Sequence, residues 1–201
     1  VYLHHLAWEV DKEGFKSRMD EYLSIADKHG IKTMFVFFDD CWNATYQAGK
    51  QPDPEPGVHN SGWIRDPGDL LFTDTTLMET LEVYVKDVLT TFADDERVLL
   101  WDLYNEPGNS GYKNKSMPLL KNVFTWTREI DPSQPLSVGV WNVNLRELNE
   151  FQLANSDVVT YHNYNKPEQH AAAIDSLKEY NRPMICTEYM ARTNGSTFQG
   201  I

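Results

Sequence analysis

Val98-Leu99-Leu100-Trp101-Asp102-Leu103-Tyr104-Asn105-Glu106-Pro107 is the stretch that decides the reading of this chain. Its first seven residues form an apolar and aromatic run, broken only by Asp102, that reads as a strand buried on both faces. Strands of that kind belong to parallel sheets covered by helices. The run then meets a glutamate, and a carboxylate at the tip of a buried strand is costly unless it is paired or functional.

The same pattern repeats outward in both directions. Val1–Leu6, Lys32–Phe38, Leu136–Trp141, Val158–His162 and Met184–Glu188 are further strand candidates. Between them lie amphipathic stretches at helical spacing. Phe15, Met19, Tyr22, Leu23 and Ala26 mark one helix, closed by Gly30. Leu77, Leu81, Tyr84, Val85, Val88, Leu89 and Phe92 line a second, and Leu120, Val123, Phe124 and Ile130 a third. Helices near Leu145–Leu153 and through Ala171, Ile174 and Leu177 complete the series.

Strands separated each time by one helix imply right-handed crossovers and a parallel sheet, closed into a barrel or doubly wound. No G-x-G-x-x-G turn follows any strand, so the dinucleotide-binding version has no support. The expected fold class is therefore α/β, a (β/α)8 TIM barrel. A complete barrel of this type takes ~250 residues. The 201 residues read as a truncated one, about the second to the seventh strand, forming a single partial catalytic domain over 1–201.

Composition narrows the partners. A net charge of −12 would repel phosphates, which speaks against nucleic acid and against an anionic membrane surface. No apolar run approaches the ~18 residues of a membrane span. Six Trp, ten Tyr and nine Phe exceed what the core needs, so some are expected to face a ligand, and a neutral polysaccharide fits both features. Val1 stands inside an apolar stretch, so a leader would lie upstream, and a secreted or periplasmic setting is compatible with the chain. Cys41 and Cys186 read as two small buried hydrophobes rather than a disulfide framework.

From Trp42 to Thr75 the periodicity stops, with Pro52, Pro54, Pro56 and Pro67 among four glycines. A structureless loop of this length in a compact domain is usually functional. It leaves the C-terminal end of a strand, the face where barrel enzymes keep their active sites.

Glu188 closes a second apolar run, Ile185-Cys186-Thr187-Glu188-Tyr189. Two glutamates aimed into one barrel mouth are what glycosidic bond cleavage requires, one protonated to assist the leaving oxygen and one ionised to attack the anomeric carbon. Asn105-Glu106-Pro107, followed by a glutamate three strands later, resembles the clan A glycoside hydrolases, and within them the chain is most similar to glycoside hydrolase family 5 and its cellulase-like relatives. The likeness spans nearly the whole chain. It implies a retaining mechanism on a β-linked oligosaccharide or polysaccharide, with Glu106 as general acid/base after the fourth strand and Glu188 as nucleophile after the seventh. It implies that Asn105 contacts the sugar 2-hydroxyl. It also implies that His162-Asn163-Tyr164 is the His-x-Tyr pattern after the sixth strand, with Tyr164 bonded to the nucleophile. No metal or cofactor is required. The third strand ends in Asp39-Asp40-Cys41-Trp42, where many relatives carry a histidine.

Softer candidates follow. His5, with His4 and Trp8, trails the first strand candidate and either lines the sugar site or packs. Trp42, Trp63 and Trp141 either stack on a pyranose face or lie under neighbouring loops. Asp40 and Asp39 either bond sugar hydroxyls or hold the long loop. Two other functions compete. A metal-dependent barrel hydrolase would draw ligands from His4, His5, Asp39, Asp40, His162 and Glu188, and a carbohydrate-binding barrel would have lost catalysis.

Overall fold

Apolar runs become parallel strands and periodic stretches become helices, with one exception. The computed structural model describes residues 1–191, so residues 192–201 of the expected domain lie outside it. Its strands are β1 (Thr33–Asp39), β2 (Val98–Asn105), β3 (Leu136–Ser137), β4 (Val159–Asn163) and β5 (Met184–Tyr189). Its helices are α1 (His5–Val10), α2 (Lys12–Lys28), α3 (Leu77–Phe92), α4 (Met117–Ile130), α5 (Arg146–Asn155) and α6 (Pro167–Lys178).

The exception is Val1–Leu6. Only Tyr2 bridges to Val36, and His5 already opens α1. The reason is a cap: the His4 side chain accepts the Leu6 backbone N–H at 3.2 Å, which turns the chain into helix where a strand was expected. The expected strand Leu136–Trp141 is likewise short. Two residues pair with β2, and Val140 then bridges to Tyr161.

The strands lie side by side in sequence order. β1, β2 and β3 form one parallel sheet, β4 and β5 a second, and the Val140–Tyr161 bridge joins them. This is the order of a β/α-barrel wall. Among the described residues the wall is not closed: every residue of β5 is at least partly exposed and α6 buries none.

The closed side is well packed. α3 buries Leu77, Leu81, Tyr84, Val85, Val88, Leu89 and Phe92, the seven positions its spacing predicts. α4 buries Leu119, Leu120, Val123 and Phe124 beside it. Under them, Trp101 of β2 stacks between Phe35 and Phe37 of β1 at 5.5 and 5.3 Å between ring centroids. Trp8 belongs to this core and not to a sugar site. It is 1% exposed, beside Tyr84, and donates its indole N–H to Asp87. No described helix is long and apolar enough to cross a membrane.

Candidate active site

Register and backbone set the site. His162 of β4 lies opposite Glu188 of β5, and Asp39 of β1 opposite Asn105 of β2. Immediately after β2 the chain turns through Glu106 at φ 46° and Gly108 at φ 87°. Gly108 is required there: a Cβ would stand 2.7 Å from the Leu148 side chain, and the left-handed φ is strained for any other residue. Its N–H donates to Asp40 Oδ2 at 2.7 Å, which pins the turn carrying Glu106.

Glu106 and Glu188 face one cavity of about 990 Å3. Glu106 is 8% exposed. Its Oε1 meets His162 Nδ1 at 2.7 Å, while Oε2 receives the Cys41 thiol at 3.1 Å and the Asn109 amide at 2.5 Å. Glu188 accepts the Tyr164 hydroxyl on Oε2 and the Tyr2 hydroxyl on Oε1, the latter at 3.2 Å. His162 Nε2 stands 3.6 Å from Glu188 Oε1, so the imidazole lies between the two carboxylates. One oxygen of Glu106 and one of Glu188 lie within 4.8 Å of each other.

The electrostatics follow from these neighbours. Burial, the largest influence on Glu106, pushes its carboxyl up, but His162, Cys41 and Asn109 together outweigh it and hold the group below the ordinary range. For His162 burial pulls down, and Glu106, Glu188 and Asp102 more than reverse it, so the imidazole holds its proton above the ordinary range. Burial, then the Glu188 contact, raises the Tyr164 hydroxyl, which keeps it a donor.

The remaining candidates divide. Asn105 lines the cavity and donates to Asp39 Oδ1 at 3.0 Å. Trp42 also lines it, 46% exposed, with its ring against His59. Trp63 lines it and donates its indole N–H to Asp39 Oδ2 at 2.6 Å.

Three candidates have other work. Asp40 is fully buried and takes Tyr104, Ser116 and the Gly108 N–H, so its oxygens are filled by the scaffold instead of sugar hydroxyls. His5 is 2% exposed, with its ring and its backbone N–H both on Asp66, because it starts α1. Trp141 donates to the Pro107 carbonyl at 3.1 Å, propping the Glu106 turn from outside the cavity lining. The ligand set of a metal hydrolase splits as well: His4 and His5 gather with Asp66, whereas His162 and Glu188 gather with Glu106. In the first group the His4 Nδ1 already accepts the Leu6 N–H.

Cys41, Asn109, Tyr2 and Asp102 belong to the site and were not singled out by the sequence. Asp102 carried a usable signal, a charge inside the decisive apolar run. It lines the cavity floor, and burial raises its carboxyl to about 7.

Comparison with known proteins bears on the family and the fold. Residues 20–199 match the family model described as glycosyl hydrolases family 2, TIM barrel domain. A probable mannan endo-1,4-beta-mannosidase F of Aspergillus flavus is 25% identical over 134 residues, covering 64% of this chain and 26% of that protein. Its Aspergillus oryzae counterpart matches equally. The chain thus spans about a quarter of the length of these relatives. Among solved structures, a beta-1,4-mannanase from the sea hare Aplysia kurodai superposes with a TM-score of 0.55 at 17% identity, over 91% of this chain and 61% of that one. A GH2 beta-galacturonidase from Eisenbergiella tayi gives 0.51 at 13% identity, over 84% and 27%. At these identities the two structures speak to the fold alone.

Proposed function

Because the chain belongs to the glycosyl hydrolases family 2 TIM barrel domain family, we propose that it hydrolyses O-glycosidic bonds of a neutral β-linked glycan, with Glu106 as acid/base and Glu188 as nucleophile. The observation that carries this reading is the approach of the two carboxylates to within 4.8 Å, with His162 between them. Retaining enzymes hold their carboxyl groups roughly 5–5.5 Å apart and inverting ones ~6.5–9.5 Å, so the spacing supports double displacement.

Glu188 attacks the anomeric carbon while Glu106 protonates the leaving oxygen, so the glycosidic bond breaks as a glycosyl ester of Glu188 forms. Water then attacks that ester, giving its proton to Glu106, and the sugar leaves with retained configuration. Glu106 therefore serves as acid first and as base second. A carboxyl held low suits the second half. For the first, the proton comes from the Glu106–His162 pair, which shares it across 2.7 Å and titrates as a unit.

Two features favour a neutral sugar. Among the described residues the cavity lining contains no Lys or Arg to pair with a uronate, and the chain carries −12 overall. The family match names family 2, where the motifs lean to family 5. The finer family 5 likeness stays part of this proposal on the Asn105-Glu106-Pro107 and Glu188 motifs, and the mannosidase names of the Aspergillus relatives make β-mannan the first substrate to try.

The test is hydrolysis of a panel of aryl β-glycosides and β-glycans by the full-length protein beside its Glu188→Gln and Glu106→Gln variants. Turnover of a neutral substrate with retained anomeric configuration, lost in Glu188→Gln, is the expected result. Product of inverted configuration, or a Glu188→Gln variant as fast as the parent, would overturn the mechanism. Sugar binding without turnover would favour the binding-only reading.

A further inference from the structure

Cys41 has the composition signature of a small core residue, yet its sulfur stands at the centre of the acid/base constellation. Its backbone N–H donates to Asp39 Oδ1 at 2.8 Å, which fixes the residue at the end of β1. Its Sγ receives the Asn109 amide at 3.3 Å and the Asn105 amide at 3.5 Å. With both amides donating to the sulfur, the one thiol hydrogen is left to the carboxylates beside it, Asp39 and Glu106, and the contact to Glu106 Oε2 is 3.1 Å. Burial first, then Asp39 and Glu106, keep that thiol protonated, so it stays a donor.

His162 occupies Oε1 of Glu106, and Oε2 takes both the Cys41 thiol and the Asn109 amide, the latter at 2.5 Å. We propose that Cys41 is a positioning residue for the glycosidase reaction, its amide-ordered thiol acting with Asn109 to fix the plane of the Glu106 carboxyl from which the proton reaches the leaving oxygen. The inference rests on the reading of Glu106 as acid/base.

Proton donation matters for poor leaving groups and hardly at all for activated ones, which separates orientation from general damage. In the full-length protein, Cys41→Ala is expected to lower kcat/KM for an aryl glycoside with a poor leaving group on the order of tenfold, a fraction of the ~10²–10⁴ that general acid catalysis contributes. The dinitrophenyl glycoside of the same sugar should change by less than about twofold, because its leaving group needs no such help. Cys41→Ser, which restores a donor, should recover most of the loss. An equal fall for both substrates, or no fall in either, overturns the inference, and so does a serine variant no better than alanine.

Glu106→Gln is the control for the underlying reading: it must lose the poor substrate and keep the activated one. If it treats both alike, the acid/base assignment falls. If it behaves as an acid mutant while Cys41→Ala matches the parent, only the inference falls. A second measurement needs no activity. The S–H stretching band lost in Cys41→Ser should shift in Glu106→Ala, and an unshifted band would overturn the contact.

Discussion

Glu106 takes its chemical character from three side chains that lie elsewhere in the sequence. Burial would make its carboxyl a weaker acid, while His162, Cys41 and Asn109 make it a stronger one, and the donors win. On the proposed mechanism the consequence is a shared proton whose loss sets the alkaline limb of the pH–rate profile. His162 is raised by Glu106, Glu188 and Asp102 against its burial, so that limb lies above the ordinary histidine value, 6.5. Activity is present below it and is lost as pH rises through it. In His162→Gln the proton must sit on the Glu106 carboxyl alone, so the limb should move to lower pH when log(kcat/KM) is followed. A limb that stays in place would sink the shared-proton account. At this scale the sequence shows both glutamates, because a carboxylate ending an apolar run is conspicuous. It does not show Cys41 or Asn109, since a buried thiol reads as a hydrophobe and a loop asparagine as a turn.

The segment from Trp42 to Thr75 illustrates what an element can and cannot declare. Its lack of periodicity and its prolines mark a loop at the barrel mouth, and Trp42, His59 and Trp63 do line the cavity. How it is held is a matter of tertiary structure. Asp39, at the end of β1, receives the Trp63 indole on one oxygen and the Asn105 amide on the other, so one carboxylate couples the loop to the cavity-lining asparagine. Trp63→Phe keeps an aromatic ring and removes the N–H. It is expected to raise KM for a polymeric glycan several-fold, with kcat on a small aryl glycoside within about twofold, since one hydrogen bond to a charged group is worth ~1.5–3 kcal/mol. A change in kcat with KM untouched would count against the loop's role. The start of the chain misleads by the same logic. Val1–Leu6 is apolar enough to read as a strand, but the His4 cap on Leu6 begins a helix and carries His5 and Trp8 away from the cavity.

Across the described residues five acids are buried: Asp39, Asp40, Asp66, Asp102 and Glu106. Among the described residues the Asp102 side chain has one hydrogen bond, from the Tyr104 N–H at 3.2 Å, and burial raises it from 3.8 to about 7. A carboxyl raised in the folded state binds a proton that the unfolded chain releases. Its contribution to stability is present below pH 3.8 and is lost as pH rises toward about 7. Asp102→Asn removes that titration and can keep the acceptor for Tyr104. The variant should gain thermal stability over the parent at about pH 8, with the gain shrinking toward about pH 5. A gain independent of pH would mean that Asp102 is not the titrating group.

What the sequence determined by itself is the alternation of buried strands and amphipathic helices and the placing of two glutamates at strand ends. Periodicity and the cost of burying a charge are local properties, readable residue by residue. The tertiary structure alone decided which atoms meet: Cys41 reaches Glu106 across 65 residues and His162 reaches it across 56. It also withdrew Asp40, His5 and Trp141 from the cavity to bind Gly108, Asp66 and Pro107. Such contacts depend on strand register and on where a helix starts, and both are fixed only when distant segments pack together.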